Sequence, residues 1–500
     1  MFSQILSGFA AALNPMCLLM LALGVGVGGI FGALPGLTTT MAMAVLVPFT
    51  YFMPTMTAIP FLLGVYKGGM WGGSIPAILI SVPGTGASVA TLYDGHPLSK
   101  QGFAKKALLV ALIASAAGEF ISDIFVMFVM EPLGKVALAF APADFFSLIL
   151  CSLIVMSTVS GGNPLKGFIS MGLGLFLATI GSDPSFGIAR YTFGSLRLRN
   201  GFDFVPLVIG LFAFSEVFAA VLDRKNSALD KAISKDKGPG LTKDEFKRII
   251  PPTLKGTLIG TVVGIIPALS QPIAAFLGYS IEKKTGKNKE MMGQGALEGV
   301  AAPEAANNAV NGGALVPLLT FGIPGDVVTA ILLSALVVQG LRPGPRLMVD
   351  NPQMMYSILT ALVIGNIILL LVGRLLIEPL SKIVQIPRNI LLPIRIALCF
   401  VEAFAINNSM FDVYTALIAG VIGLLMKRFG LNVPTMAISF LLGSKIEGYL
   451  IQALSLSQGN WSIFVTRPIS VAFLLITLVV LGFSIAKFFR AKKLEGAKAA

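Results

Sequence analysis

Apolar stretches about as long as a bilayer is thick recur along this chain: Ala107–Met130, Phe145–Ser160, Phe204–Val221, Ile358–Ile377 and Val471–Phe488. A helix rises about 1.5 Å per residue, so about 20 apolar residues cross a hydrocarbon core. Backbone polar groups in that core must be bonded within the segment itself. The runs therefore predict an all-α polytopic membrane protein. No run alternates with the period that a transmembrane β-strand requires. Only 12% of the 500 residues are charged, against about a quarter in soluble domains. The net charge of +13 does not point to nucleic acid, because the basic residues gather in short loops and at the C-terminus, as the positive-inside rule places them. Cys17, Cys151 and Cys399 lie in apolar segments and match no metal or disulfide spacing. The N-terminus lacks the basic start of a cleavable signal peptide and is expected to stay in the mature protein.

Two motifs occur twice, in the same order. Gly24, Gly28 and Gly32 precede Leu34-Pro35-Gly36-Leu37, and Gly256, Gly260 and Gly264 precede Ile266-Pro267-Ala268-Leu269, at a constant offset of 232 residues. Gly72-Gly73-Ser74-Ile75-Pro76 leads into Ser81-Val82-Pro83-Gly84-Thr85, as Gly313-Ala314-Leu315-Val316-Pro317 leads into Gly322-Ile323-Pro324-Gly325-Asp326. The chain is expected to divide into a first transmembrane repeat (1–222), a basic linker (223–252), a second repeat (253–452), and a C-terminal helix with a basic tail (453–500).

Charge then orients each repeat. No Lys or Arg precedes Lys67, whereas Arg224, Lys225, Lys231, Lys235, Lys237, Lys243, Lys247 and Arg248 crowd the linker. Lys283, Lys284, Lys287 and Lys289 follow the first motif of the second half, where the matching Tyr51–Ile59 carries no charge. Lys487, Arg490, Lys492, Lys493 and Lys498 make the tail basic. These place the N-terminus in the periplasm and the linker and C-terminus in the cytoplasm, so the halves are inverted repeats of about eleven crossings. Arg190, Arg197 and Arg199 fall outside, against the rule. The apolar arms flanking Pro35 (18–34 and 36–52) and Pro267 (253–266 and 268–281) are too short to cross fully and predict re-entrant helical hairpins. Broken backbone at that depth must be buried in protein or line a cavity.

The Pro-Gly breaks are therefore the candidate binding sites. Pro35-Gly36 is followed by Thr38, Thr39 and Thr40, and Pro83-Gly84 by Thr85 and Ser88. If each break opens a helix, its N–H groups and hydroxyls converge with the positive dipole end behind them, which suits an anion. Backbone carbonyls freed at the same breaks suit a sodium ion; a plain kink is the alternative. The glycine rows read as close helix contacts. Gly24-x-Gly26-x-x-Gly29 matches a dinucleotide fingerprint only by chance, since no strand precedes it. The second half adds Ser270 and Gln271 at its tip, Glu298, Glu304, Asn307, Asn308 and Asn311 in an apolar setting, and Asp326 after Pro324-Gly325. Intramembrane polar groups are costly and so are functional candidates, although bonding freed backbone would also explain them.

Lys67 aligns with Asn308 across the repeats. It is open to three roles: neutralising a substrate carboxylate, pairing with Glu119 or Asp123, or snorkelling. Glu119 and Asp123 share a helix face and could relay cations or pack structurally. Thr40, Ser88, Glu304, Glu119 and Asp123 are the candidates for coupling. His96, in Tyr93-Asp94-Gly95-His96-Pro97, is expected in a solvated turn. With no catalytic set, metal cluster or Walker loop, the chain is not expected to be an enzyme or to need a cofactor; Na⁺ or H⁺ is the expected driving ion.

The motifs together resemble the large membrane subunit of the tripartite tricarboxylate transporter family. Gly-Ala-Leu-Pro-Gly-Leu (32–37), Pro-Gly-Thr…Asp-Gly-His-Pro-Leu…Gln-Gly (83–102), Glu-Gly-Val-Ala-Ala-Pro-Glu-Ala-Ala-Asn-Asn-Ala (298–309), Gly-Ile-Pro-Gly (322–325) and Thr-Arg-Pro-Ile-Ser (466–470) carry the likeness, from about residue 5 to 485. The resemblance implies a sodium- or proton-coupled importer of di- or tricarboxylates in a bacterial inner membrane. It implies two partners, a small four-helix membrane subunit and a periplasmic substrate-binding protein, and by analogy an elevator-like movement. A channel or exporter built on the same repeats is the competing expectation. The chain departs from the family pattern at Pro267-Ala268-Leu269-Ser270-Gln271-Pro272, at Lys67 where an aromatic is usual, at His96 where Tyr is usual, and at Gly86 where Pro is common. The extra cation and Gln271 suggest an altered carboxylate or a more polar anion.

Overall fold

Each long apolar stretch lies within a helix as far as it is described. The computed structural model describes residues 2–159, 163–183, 186–222, 240–267, 269–384, 386 and 388–499. Linker residues 223–239, with Arg224, Lys225, Lys231, Lys235 and Lys237, and Ala268 at the second tip lie outside the described residues, as do the side chains of the basic tail from 487 onward.

In chain order the helices are α1 (Phe2–Ala12), α2 (Pro15–Ala33), α3 (Thr39–Thr50), α4 (Thr55–Gly72), α5 (Ser74–Ile80), α6 (Ser88–Leu98), α7 (Ala104–Leu138), α8 (Pro142–Val159) and α9 (Pro164–Ala178). A small antiparallel pair, β1 (Gly181–Ser182) and β2 (Ala189–Arg190), follows. Then come α10 (Phe204–Val208), joined by a π-helical turn to α11 (Ser215–Leu222), α12 (Lys243–Ile265), α13 (Gln271–Thr285), α14 (Glu298–Phe321), α15 (Val327–Val338), α16 (Leu347–Asp350) and α17 (Pro352–Ile383). The chain ends with α18 (Arg388–Ala405), α19 (Met410–Arg428), α20 (Val433–Leu456), α21 (Ile463–Thr466) and α22 (Pro468–Ala499). Among the described residues, six helical segments are long and apolar enough to cross a membrane: Pro15–Ala33, Ser88–Leu138, Phe204–Leu222, Pro352–Ile383, Met410–Arg428 and Pro468–Ala486. The chain is an all-α, multi-pass membrane protein.

Two compact units form, and both take residues from each half of the sequence. The first comprises 1–134, 220–266 and 270–398; the second comprises 135–219, 267–269 and 399–500.

In the first unit the glycine rows set the geometry. A Cβ on Gly28 would meet Val65 Cα at 2.8 Å and Gly69 N at 2.9 Å, and one on Gly264 would meet Val310 O at 2.6 Å and Gly313 Cα at 2.9 Å. The α2 row thus lies directly on the backbone of α4, and the α12 row on that of α14. Bare backbone lets each pair approach closely, the usual role of small residues every fourth position in membrane helices. The arms of the second hairpin fold back on each other. Lys255 Nζ donates to Glu282 Oε2 at 3.0 Å, and the two residues stand equally far from the break, before Ile266 and after Gln271. Only antiparallel arms allow that contact. The expectation that the arms are too short to cross is corrected: the helices start earlier than the runs counted in the sequence, so α2 (Pro15–Ala33) is itself long and apolar enough to cross a membrane and α12 reaches back to Lys243.

The second breaks are matched in detail. The N–H of Val82 donates to Pro76 O at 3.3 Å, and that of Ile323 to Pro317 O at 3.2 Å. Each follows a left-handed residue, Ser81 (φ 58) and Gly322 (φ 67). Both helices therefore end on a left-handed residue whose successor's N–H reaches back to the corresponding proline carbonyl, and glycine is preferred at such a residue because a Cβ is penalised in this conformation. Ser81→Gly is expected to raise the stability of the detergent-solubilised protein by about 1 kcal/mol, read as a higher thermal midpoint; an unchanged or lower midpoint would remove this reading of Ser81.

The hairpins also exchange partners. The second arm of the first hairpin, α3, packs on α15 of the other half, and the second arm of the second hairpin, α13, packs on α6. Gln339 Nε2 at the end of α15 donates to Thr50 O at 2.6 Å, while Tyr279 Oη on α13 donates to Asp94 Oδ2 of α6 at 2.9 Å.

The second unit gathers α8, α9, α20 and α22, with α19 packed on the π-helical turn. Arg190 grips Glu447 through both terminal nitrogens, at 2.6 and 2.9 Å, and Arg197 donates to Ser409 Oγ at 2.7 Å. Two of the three arginines that opposed the orientation rule thus have partners within their own unit.

Candidate functional site

The first unit brings the breaks together. Gly84 N donates to Gly73 O at 3.1 Å, and a Cβ on Gly84 would meet Gly32 O at 2.5 Å. The Pro83-Gly84 break therefore sits against the end of α2, beside the first tip. A Cβ on Gly325 would meet Ala314 Cβ at 3.0 Å and approach Gly264 O at 3.7 Å, so Pro324-Gly325 has the corresponding seat at the end of α12. A Cβ on the exposed Gly86 would lie 3.2 Å from Pro272 Cγ. That places the start of α6 beside the start of α13, and no side-chain oxygen caps either helix. Two helix N-termini, one from each half, thus meet with their positive dipole ends together.

The other two helix starts at the breaks are capped. Thr38 Oγ1 accepts from Met41 N at 3.2 Å on α3. Asp326 Oδ1 accepts from Thr329 N at 2.7 Å on α15, and Thr329 Oγ1 donates to the same oxygen at 2.8 Å. The equivalent pair in the first half, Thr85 and Ser88, is joined hydroxyl to hydroxyl at 2.9 Å. Asp326 Oδ2 further accepts from Tyr66 Oη at 2.9 Å and from Gln271 Nε2, while Gln271 Nε2 also reaches Tyr66 Oη at 3.0 Å. The carboxylate is thereby filled by protein donors and ties α4 of the first half to α13 and α15 of the second. At the first tip, Arg395 Nη2 of α18 donates to Pro35 O at 2.7 Å, and its guanidinium stands where a Cβ on Gly36 would be. Thr39 is buried and its hydroxyl is without a hydrogen bond. Thr40 lies in the first turn of α3, and Ser270 immediately precedes α13.

Deeper in the unit, α7 and α14 face each other with polar stripes. On α7 these are Ser115, Glu119, Ser122 and Asp123; on α14 they are Glu304, Asn308 and Asn311, all buried. Glu304 accepts from Thr91 Oγ1 at 2.5 Å and from Ser115 Oγ at 3.1 Å. Asn308 Nδ2 donates to Ser115 Oγ at 2.8 Å and to Glu304 O at 3.0 Å. One step along, Lys67 Nζ donates to Glu119 Oε1 at 2.9 Å, Asp123 Oδ2 at 2.8 Å and Asn366 Oδ1 at 3.1 Å. Lys67 is 0% exposed, so it neither snorkels nor stands free; of the roles open to it, pairing with both acids is the one formed. Its stem passes Gly365, where a Cβ would meet Lys67 Cε at 2.9 Å. Lys67 and its repeat counterpart Asn308 both face α7. Asn307 and Asn311 are buried, and no amide atom of either forms a hydrogen bond.

The expectation for His96 is corrected. It is buried within α6, with Nδ1 3.1 Å from Ile78 O. The polar neighbours that suggested a turn are satisfied internally instead: Asp94 Oδ1 accepts from the N–H groups of Gly293, Gly295 and Ala296 at 2.8, 2.9 and 2.8 Å. Several partners escaped the sequence reading: Tyr66, Thr91, Ser115, Asn366 and Arg395. Asn366 had a visible signal as the one amide of the Ile358–Ile377 run, as did Arg395 among the apolar residues of the middle of α18.

The chain is matched over residues 18–438 by the family model described as "Tripartite tricarboxylate transporter TctA family". An "Uncharacterized 52.8 kDa protein in TAR-I ttuC' 3'region" of Agrobacterium vitis is 34% identical over 493 residues, covering 99% of this chain and 98% of that protein. An "Uncharacterized protein in TAR-II ttuC' 3'region" of the same organism is 35% identical over 234 residues, 47% of this chain and 97% of that protein. No solved structure matches the chain. The match takes in the hairpins, the breaks and the facing polar stripes: the chain belongs to the tripartite tricarboxylate transporter TctA family.

Proposed function

We propose that this chain is the transport subunit of an importer for a small organic anion of the di- or tricarboxylate class. Membership of the family makes it a transporter component rather than an enzyme. A tripartite system implies a small membrane subunit and a periplasmic binding protein beside it, and in our reading the binding protein delivers the anion. The chain sits in a bacterial inner membrane with its N-terminus in the periplasm and its C-terminus in the cytoplasm. It is made of two inverted repeats with about eleven crossings, needs no cofactor, and is driven by a gradient of Na⁺ or H⁺. An elevator-like movement of the hairpin-bearing unit gives alternating access.

The observation that carries this reading is the meeting of two helix starts, α6 and α13, at Gly86 and Pro272. Each contributes a positive dipole end without a capping side chain, and the hydroxyls of Thr85 and Ser88 stand beside them. Such a place suits a carboxylate. The polar stripes of α7 and α14 lie beneath it as the route for the driving ion.

The test is uptake by proteoliposomes holding this chain with its small subunit and binding protein, offered labelled citrate, tartrate or succinate. Gradient-driven uptake of at least one acid is expected. No uptake of any of them, or flux at channel rates, would reject the reading. Thr85→Ala and Asn308→Ala are expected to abolish uptake while leaving insertion intact; wild-type kinetics in both would remove the breaks and the stripe from the transport path.

A further inference from the structure

Three buried ionisable groups meet where α4, α7, α14 and α17 come together, and their charges do not cancel. Lys67, Glu119 and Asp123 are each at most 1% exposed, and one ammonium faces two carboxylates. Lys67 Nζ has three protons and spends them on Glu119 Oε1, Asp123 Oδ2 and Asn366 Oδ1. The other carboxylate oxygens, Glu119 Oε2 and Asp123 Oδ1, are buried without a donor. A surplus buried negative charge is costly unless a proton or cation joins it.

A second, independent feature points to where the addition goes. Asn311 lies on the face of α14 that meets α7 at Ser115 and Asp123, beside Glu119, and neither of its amide atoms forms a hydrogen bond. Asp123 Oδ1 instead faces the bare backbone of Gly312, 2.5 Å from where a Cβ would stand. A primary amide is the side chain able to serve a carboxyl in both states. Its NH₂ donates to a carboxylate, and its oxygen accepts from a carboxylic acid. An orphaned amide beside a carboxylate with an orphaned oxygen is thus a place prepared for a proton to come and go. A metal ion is a poorer fit, because it would share both carboxylates with an ammonium that already occupies their centre.

We propose that Glu119, facing Asn311 and held with Asp123 on the Lys67 ammonium, is a proton-binding site, with Lys67 filling the position a metal ion would need. The added proton rests on Glu119 Oε2, the carboxylate oxygen that has no donor and lies on the residue beside the unbonded Asn311 amide. The step is simple proton exchange: the carboxylate takes H⁺ from water and later returns it to water. The remaining titratable groups nearby are Tyr66 on α4, engaged with Asp326 of α15, and Glu304 on α14, supplied by Thr91 and Ser115 hydroxyls. On α17 Asn366 donates to Asp123 Oδ2 at 2.6 Å. Those groups have their donors; Glu119 Oε2 does not.

The site does not depend on which anion is carried, but its use as the coupling site rests on the importer reading. The test is infrared difference spectroscopy on the full chain in liposomes, titrated from alkaline to acid without any substrate. A buried carboxylic-acid band is expected to appear on acidification, to shift in deuterated water, and to be the same in sodium and choline media. It should be lost in Glu119→Gln, persist in Glu304→Gln, and change frequency in Asn311→Leu, which leaves every charge in place. No titrating band in the wild type, a band that sodium removes, a band that survives Glu119→Gln, or an unchanged frequency in Asn311→Leu would overturn the proposal. Should Glu119→Gln fail to insert, the wild-type sodium comparison and Asn311→Leu decide. The band with no uptake of any acid would sink the importer reading alone; sodium-driven uptake without the band would sink this inference alone.

Discussion

Replacing Lys67 by methionine is expected to cost about 3–5 kcal/mol of folding stability, because it leaves buried carboxylates without their ammonium. Glu119 and Asp123 are both hydrogen-bonded to Lys67 Nζ, and Asn366 cannot replace the lost charge. The triple variant Lys67→Met, Glu119→Gln, Asp123→Asn should recover most of the loss, since a buried cluster stripped of all its charges is often as stable as the intact one. Thermal unfolding of the detergent-solubilised variants measures both effects. A single variant as stable as wild type would mean that Lys67 does not hold the acids. A triple variant no better than the single would mean that the cost lies in lost volume instead of unpaired charge.

The second large effect is expected where helices touch through bare backbone. Gly28→Val should destabilise the first unit by about 3 kcal/mol, the upper part of the range for overpacking. Its new side chain would meet Val65 Cα and Gly69 N, both on the backbone of α4, and no rotamer can relieve that. Gly264→Val should do the same against Val310 O and Gly313 Cα. Gly482→Val in α22, with nothing within 4 Å of its Cβ position, is the control and should stay within about 0.5 kcal/mol of wild type. Equal tolerance at all three positions, read from thermal midpoints, would show that the glycine rows do not set the helix separation.

Those glycine rows were legible in the sequence because they are periodic. So were the broken helices, since Pro-Gly pairs interrupt apolar runs at fixed positions. The polar stripe of α14 could be read because Glu304, Asn308 and Asn311 are conspicuous in an apolar setting. What they bond to could not. Glu304 finds Ser115, and Lys67 finds Asn366, across stretches of chain over which local periodicity carries no information. His96 was misplaced for a related reason. A Tyr-Asp-Gly-His-Pro sequence favours a turn, but the distant N–H groups of 293–296 bind the Asp94 carboxylate, and tertiary bonds outweigh local preference. The compact units were equally hidden, since each draws on both halves of the chain.

The importer reading requires the two hairpins to open toward opposite faces of the membrane. Phe52, 92% exposed after the first hairpin, and Lys287, exposed after the second, can each be replaced by cysteine in a chain whose Cys17, Cys151 and Cys399 are alanine. An impermeant maleimide applied to oriented vesicles should label Phe52→Cys only from the periplasmic side and Lys287→Cys only from the cytoplasmic side. Labelling of both from one side would contradict the inverted arrangement on which the anion site depends.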